Sequence, residues 1–150
     1  MTHRKARAIA YGVSMALCLV ATGKGAHAAD PPFIALEDLA SASGAQIYSH
    51  ICQACHMARG EGAAGAGHYP KLSGDRTLAS WRYVALTVLG GRNGMPAFGL
   101  PASPFGQHLS DVQVAAVVNY VRTHFGNHFR DTISVTDVSR LAHPTARPEF

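Results

Sequence analysis

Clustered charge is scarce in this 150-residue chain, in which Asp, Glu, Lys and Arg make up only 15% of the residues. Beyond Lys24, the Lys and Arg residues stand singly along the sequence, from Arg59 to Arg147. Proteins that bind nucleic acids usually carry these side chains in clusters on one face or along one helix. The sequence therefore argues against nucleic acid as a partner.

A long apolar run is also missing. The apolar run from Ala8 to Ala21 is shorter than the roughly 20 residues that a membrane-spanning helix needs. It follows the positively charged start MTHRKAR and precedes Ala26-His27-Ala28, an order that is typical of a secretory signal peptide. We therefore predict that residues 1–28 are removed, that residues 29–42 form an N-terminal leader, and that the mature protein is periplasmic without a membrane span.

Loss of this signal peptide would make the chain formally neutral. The full chain carries 13 Lys and Arg against 9 Asp and Glu, a net charge of +4. Four of these cations precede residue 29 and every acidic residue follows it, so nine cations remain against nine acids. The isoelectric point near 9.2 is thus a property of the precursor, and it gives no reason to expect attraction to nucleic acid.

Cysteine is the third scarce feature. Once Cys18 leaves with the signal peptide, Cys52 and Cys55 are the remaining cysteines, and His56 directly follows them. A Cys-x-x-Cys pair can be a thioredoxin-like redox centre, half of a zinc site, or, when His follows, the attachment site of a covalent haem. No convincing strand pattern precedes the pair, as a thioredoxin fold would require. His124 and His128 have the spacing of a second zinc pair, but they lie in a terminal stretch that continues the apolar helix. The motif therefore favours haem.

The spacing of these residues suits a helix. At about 100° per residue, Cys52, Cys55 and His56 fall on one face, where two thioethers could attach a haem while the imidazole binds its iron. Ser43, followed three residues later by Gln46, predicts a capping box at the start of this helix.

The neighbouring positions resemble the class I c-type cytochromes. Gly44 and Tyr48 stand eight and four residues before Cys52, where that family has a glycine and an aromatic residue at the crossing of its first and last helices. Val117 and Tyr120 look like the matching pair on the last helix. A small residue lets two helices approach closely while an aromatic ring fills the adjoining groove.

The resemblance implies an all-α cytochrome c fold, with about three main helices and loops wrapped around one covalently bound haem c. We expect this domain to span residues 43–126, followed by a C-terminal extension at 127–150. Apolar periodicity predicts one helix from Thr77 to Leu89, stopped by the glycines that follow it. A second helix is predicted from Ser110 to Phe125, with a capping box between Ser110 and Gln113.

The segment YPKLSG, residues 69–74, matches a second feature of the family. The resemblance implies that the backbone carbonyl of Pro70 accepts a hydrogen bond from the second ring nitrogen of His56, which fixes the tautomer of the metal ligand. Leu72 would then pack on the haem.

The segment GRNGMPAFG, residues 91–99, matches a third feature and contains Met95. A thioether suits an electron-transfer iron, so Met95 is the candidate for the sixth ligand, with His56 as the fifth. His68 and His108 are the rival candidates, which would give a bis-histidine centre of lower reduction potential.

These features predict a periplasmic electron carrier and not an enzyme. It would accept electrons from a periplasmic dehydrogenase and pass them to the respiratory chain, through a terminal oxidase or another cytochrome. One alternative is a haem enzyme or gas sensor, which would need an open sixth position on the iron. Another is a thiol-disulfide protein that uses Cys52 and Cys55.

The tail after residue 126 allows two interpretations. Ile133, Val135 and Leu141 could cover the surface of the cytochrome domain itself, with a short helix capped by Thr136. Alternatively the tail could dock the protein to a partner, because VNYVRTHFGN followed by such a tail looks like cytochrome subunits or acceptors of periplasmic dehydrogenases.

Overall fold

The computed structural model describes residues 41–65, 67–101 and 107–145. The predicted signal peptide and nearly all of the predicted leader lie outside these ranges. None of the helices in the described part of the chain has the length and apolar character to cross a membrane. The described elements, in chain order, are helix α1 (Gly44–Ile47), a π-helical segment (Tyr48–Cys52), α2 (Gln53–His56), strands β1 (Ala63–Ala64) and β2 (His68–Tyr69), a 3₁₀ helix (Arg76–Ala79), α3 (Trp81–Gly90), α4 (Asp111–Thr123) and α5 (Val135–Ser139).

The first helical stretch runs without interruption from α1 through the π-helical segment into α2. It begins with the predicted capping box: the Ser43 hydroxyl accepts a hydrogen bond from the Gln46 amide at 3.3 Å, and the Gln46 side chain accepts one from the Ser43 amide at 2.9 Å. The π-helical turn, Tyr48–Cys52, was not predicted. Such widened turns are rare and often lie at functional sites, and this one leads directly into the Cys-x-x-Cys-His segment.

Helices α1 and α4 cross at Gly44. A Cβ atom at this position would collide with the backbone carbonyl group of Ala116 and come within 2.8 Å of the Cβ of Tyr120. The ring centroid of Tyr48 lies 5.6 Å from that of Tyr120. The predicted crossing is therefore present, but the small residue opposite the glycine is Ala116 and not Val117, which faces a cavity described below.

The predicted single helix from Thr77 to Leu89 is wrong, because the chain breaks at Ser80. That residue is extended (φ −87°, ψ 95°) and caps α3, with its hydroxyl accepting a hydrogen bond from the Tyr83 amide at 3.3 Å. A second cap lies just upstream, where the Asp75 carboxylate accepts from the Thr77 amide at 2.8 Å. Two capping residues so close together start two separate helical segments.

Helix α4 begins as predicted, with the Gln113 side chain accepting a hydrogen bond from the Ser110 amide at 2.7 Å. It ends at Thr123, two residues before the predicted end. His124 is extended, and Phe125 adopts a left-handed backbone at φ 58°, so the chain turns before it reaches Gly126.

The tail packs against α4. Asn119 donates from its side-chain amide to the carbonyl of Ile133 and accepts from the Ile133 amide, both at 2.9 Å. Ile133 and Leu141 are each 6% exposed, whereas Val135 is 43% exposed. These burials support the interpretation that Ile133 and Leu141 cover the protein's own surface, and they leave Val135 as the exposed member of the three.

The short tail helix α5 is not capped by Thr136. Its cap is Ser134, whose hydroxyl accepts from the Asp137 amide at 3.2 Å while the Asp137 carboxylate accepts from the Ser134 amide at 2.8 Å. The capping-box pattern, a serine followed three residues later by an acidic residue, starts at Ser134, between the alternating apolar residues Ile133 and Val135 and two residues before the predicted cap.

Candidate functional site

A cleft of about 700 Å³, counting the part open to solvent, lies between the end of the first helical stretch, the loop that follows β2, and helices α3 and α4. Most of its wall is apolar. Its lining residues are Cys52, His56, Pro70, Leu72, Asp75, Thr77, Leu78, Tyr83, Val84, Thr87, Val88, Met95, Val117, Val118 and Val121.

His56 is the buried imidazole of this cleft, with 8% of its surface exposed. Its Nδ1 lies 2.9 Å from the carbonyl oxygen of Pro70. Since a carbonyl can only accept, Nδ1 carries the proton and Nε2 keeps its lone pair for a metal. The ring is therefore held in the tautomer that an iron ligand needs.

The Tyr48 side chain forms a hydrogen bond with the backbone of Met57, the residue that follows His56. Met57 ends helix α2 with a left-handed backbone at φ 64°, which is unusual for a residue other than glycine. The Tyr48 hydroxyl donates to the Met57 carbonyl at 2.7 Å. Burial is the main reason why the pKa of Tyr48 rises to about 12, so this hydroxyl stays protonated and remains a donor.

The loop that carries Pro70 and Leu72 is tied to the segment after His56. The carbonyl of Gly60 accepts hydrogen bonds from the Leu72 amide at 2.7 Å and from the Ser73 amide at 2.9 Å. Asn127 donates to the Leu72 carbonyl at 3.0 Å. Leu72 lines the cleft and packs against the core, where it could contact a bound group.

Cys52 and Cys55 are free and half-buried, and Cys52 lines the cleft. Burial raises the pKa of the Cys52 thiol to about 12, with a smaller contribution from Cys55. A redox-active Cys-x-x-Cys pair instead has a thiol of lowered pKa. Within the described residues, both strands follow the pair. These observations argue against the thioredoxin-like interpretation.

Met95 reaches the cleft from a tight turn. The Met95 amide donates to the Arg92 carbonyl at 2.8 Å and the Arg92 amide donates to the Met95 carbonyl at 3.2 Å. Between them, Asn93 and Gly94 both have positive φ, 48° and 87°, as in a type I′ turn. The next residues are fixed to α3, because the Phe98 amide donates to the carbonyl of Val88 at 3.0 Å.

The rival candidates for the sixth ligand lie elsewhere. His68 is exposed on strand β2, His108 is exposed just before α4, and neither lines the cleft. The structure therefore brings Met95, and not His68 or His108, to the same cavity as His56 and Cys52. In the described parts of the chain, His, Cys, Asp and Glu side chains form no group of three or more that could hold a metal ion.

Sequence reasoning did not identify the residues of α3 that line the cleft. No residue of this helix was named from the sequence as a haem contact, whereas Val84 and Val88 line the cleft. Their spacing of four residues was the available signal, because it places both side chains on one face of a helix.

The sequence matches the family model described as cytochrome c oxidase, cbb3-type, subunit III, over residues 40–121. This match covers more than half of the chain and includes every residue named above as a candidate haem contact.

Curated relatives agree with this family. The chain is 37% identical over 108 residues to the gluconate 2-dehydrogenase cytochrome c subunit of Pantoea cypripedii, covering 67% of this chain and 24% of that protein. It is 33% identical over 107 residues to the alcohol dehydrogenase (quinone) cytochrome c subunit of Gluconobacter oxydans (strain 621H), covering 66% and 22%. It is 38% identical over 108 residues to the fructose dehydrogenase cytochrome subunit of Gluconobacter japonicus, covering 65% and 21%. The matched region thus spans less than a quarter of each relative.

Proposed function

The chain belongs to the family described as cytochrome c oxidase, cbb3-type, subunit III, and from this membership we propose that it is a one-haem electron carrier with His56 and Met95 as axial ligands. The cytochrome c fold and the family imply haem c as the cofactor and electron transfer as the activity. The number of haems, their covalent attachment and the ligand pair are our proposal.

The donor set of the cleft fits a haem. The apolar walls suit a porphyrin, and two free thiols stand in the Cys-x-x-Cys-His motif. When bound, the haem would supply one-electron chemistry at its iron. Cys52 and Cys55 would hold it by thioethers, His56 would bind the iron through Nε2, and Met95 would bind through its sulfur.

The hydrogen bond between His56 and Pro70 is the observation that best supports this proposal. It presents a ring nitrogen with a free lone pair in a cavity that Met95 also lines. A carbonyl acceptor behind a ligating imidazole also makes that imidazole a stronger donor to the metal. The same bond would keep His56 in place in both oxidation states, as a carrier requires.

A periplasmic dehydrogenase is the proposed electron donor. Three of the relatives are named as cytochrome subunits of gluconate, alcohol and fructose dehydrogenases, and we extend that type of partner to this chain. The acceptor would be a terminal oxidase or another cytochrome of the respiratory chain. The protein would act in the periplasm after removal of residues 1–28, and it would itself catalyse no bond change in a substrate.

Two measurements on the haem-loaded protein test this proposal. The intact mass should exceed that of the chain from Ala29 onwards by one haem that acidified organic solvent does not extract. Carbon monoxide should leave the spectrum of the reduced protein unchanged at neutral pH, because both axial positions are filled. A mass equal to the bare chain contradicts covalent attachment. Rapid carbon monoxide binding would instead support the alternative function, a haem enzyme or gas sensor with an open sixth position.

A further inference from the structure

Two glycines occupy equivalent positions in the two loops that bring Pro70 and Met95 to the cleft. Gly62 and Gly91 both have left-handed backbones, at φ 66° and 71°. A Cβ at Gly62 would lie 2.8 Å from the carbonyl carbon of Pro70, and one at Gly91 would lie 3.0 Å from the carbonyl carbon of Pro96. In each loop a proline-containing backbone segment packs directly on a glycine, and no side chain fits between them.

Gly62 is connected to both partners of the His56 hydrogen bond. Its amide donates to the carbonyl of His56 at 3.1 Å, and its Cα faces the backbone of Tyr69, Pro70 and Lys71. A Cβ at this position would be only 2.8 Å from the Lys71 nitrogen. Gly62 therefore sets how closely the Pro70 carbonyl can approach His56.

Gly91 has the corresponding relation to Met95. Its amide donates to the carbonyl of Thr87 at 2.9 Å, which closes the end of α3. A Cβ there would lie 2.5 Å from the Met95 carbonyl oxygen and 2.9 Å from the Ala97 nitrogen. Gly91 therefore determines how closely the backbone of Met95 can approach the C-terminal end of α3.

We propose that Gly62 and Gly91 are positioning residues for the two axial ligands of the haem, Gly62 acting through Pro70 on His56 and Gly91 acting directly on the backbone of Met95. This inference rests on the proposed function. It also predicts effects of opposite sign for the same chemical change, the addition of one methyl group.

A methyl group at Gly62 would lie 2.4 Å from the Tyr69 carbonyl oxygen and 2.8 Å from the Pro70 carbonyl carbon, so this backbone must shift, and we expect the shift to lengthen the hydrogen bond from His56 to Pro70. Without its acceptor the imidazole donates less strongly to iron, so ferric iron is less well stabilised and the reduction potential rises. A methyl group at Gly91 must displace Met95. Loss of the thioether leaves an open position and lowers the potential, because methionine ligation raises it.

Two other glycines provide matched controls. Gly74 and Gly94 also have positive φ, 63° and 87°, and among the described residues no atom beyond the adjacent residues in the chain lies within 4 Å of a Cβ built on either. Gly94 belongs to the same turn as Met95, and Gly74 ends the loop that carries Pro70. Alanine at these sites also places a side chain on a backbone of positive φ, but without a collision.

The experiment compares the haem-loaded variants Gly62→Ala, Gly91→Ala, Gly74→Ala and Gly94→Ala with the parent. Potentiometric titration gives the reduction potential, and proton NMR of the reduced protein follows the shifted methyl resonance of an iron-bound methionine. We expect a higher potential with the methionine resonance retained in Gly62→Ala. We expect a lower potential, loss of that resonance and carbon monoxide binding in Gly91→Ala. Both controls should match the parent.

Several outcomes would overturn the inference. Shifts of the same sign in Gly62→Ala and Gly91→Ala, or equal shifts in the controls, would mean that the glycines matter only through general backbone strain. If either alanine variant carries no haem, its asparagine counterpart is measured, because asparagine adopts positive φ more readily than alanine and still adds the Cβ. If Gly62→Asn and Gly91→Asn also carry no haem while the controls do, the glycines serve the fold and not the ligands. A parent without a methionine resonance contradicts the proposed function itself.

Discussion

Asp131 binds the guanidinium group of Arg122, although the Arg122 side chain is 1% exposed and that of Asp131 is 64% exposed, with 2.6 Å between Oδ1 and Nη2. Arg122 also donates to the backbone carbonyl of Asp131, to the carbonyl of Leu78 at 2.8 Å and to that of Ala79 at 3.2 Å. Because Leu78 lines the cleft, one buried cation joins the C-terminal tail to the wall of the proposed haem site.

Replacement of Arg122 should strongly destabilise the protein. We expect Arg122→Leu to lower the free energy of unfolding by about 3 kcal/mol, because it leaves several buried carbonyls without donors. Asp131→Asn should lower it by less, since Arg122 keeps its bonds to three backbone carbonyls, those of Leu78, Ala79 and residue 131, and asparagine can still accept. Urea unfolding of the haem-loaded proteins, followed by far-UV circular dichroism, measures both. Equal losses in the two variants would contradict this assignment.

Replacement of Met95 should open the iron without releasing the haem. In Met95→Ala we expect the covalent haem to remain, the reduction potential to fall and the reduced protein to bind carbon monoxide, because a soft thioether favours ferrous iron. Met57→Ala is the matched control, since Met57 does not line the cleft. If Met95→Ala keeps the parent's spectrum and potential, another residue is the ligand, and His68 and His108 must then be tested.

The tail should be held more tightly at low pH. His143 Nε2 lies 2.7 Å from an Asp111 carboxylate oxygen, and Nδ1 lies 2.9 Å from the Leu141 carbonyl, so only the protonated ring can donate to both. The bond to Asp111 is the main cause that raises the pKa of His143 above its ordinary value of 6.5. The resulting stabilisation is complete below pH 6.5 and is lost as the pH rises through the raised pKa.

The melting temperatures of His143→Ala and of the parent, measured from below pH 6.5 to above the raised pKa of His143, test whether the His143–Asp111 pair stabilises the tail. The difference in melting temperature between the two should be present at about pH 5.5 and should vanish by about pH 9. His128→Ala is the control, because His128 is an exposed histidine for which no such pair is described. A difference that stays constant with pH would show that His143 stabilises the tail by packing alone.

Truncation should separate the packed part of the tail from its end. Deletion of residues 131–150 removes Asp131 and the buried Ile133, Val138 and Leu141, so we expect a large loss of unfolding free energy and an altered haem environment. Deletion of residues 146–150 leaves all of these contacts in place and should match the parent. If the longer deletion keeps the parent's stability and haem spectrum but slows reduction by the dehydrogenase, the tail is a docking segment after all.

The starts of α1 and α4 could be predicted because each is encoded within three residues. Ser43 with Gln46 and Ser110 with Gln113 form the expected capping boxes. The break at Ser80 was missed because apolar periodicity continues across it, and only the bonds of its hydroxyl show that a new helix begins. The pairing of Gly44 with Ala116 was also not predictable, since neighbouring positions on α4 differ in direction by about 100°.

The candidate site was predictable to the extent that it is contiguous in the sequence. Cys52, Cys55 and His56 could be named from their motif, whereas the cleft wall arises from packing between helices that are distant in the chain. The choice of Met95 over His68 depended on chemical preference alone until the structure brought Met95 to the cleft. The roles of Cys52, Cys55, His56 and Met95 in binding a haem are still predictions.

The capping boxes at Ser43, Ser110 and Ser134 have a consequence for the chain before it receives its cofactor. Each fixes where a helix begins through bonds within one turn, and none of them involves the cleft. The packing between the helices, by contrast, surrounds a cavity that only a bound group would fill. We therefore expect the haem-free chain to resemble a molten globule, with strong far-UV but weak near-UV circular dichroism, so that attachment of the cofactor organises helices that have already formed.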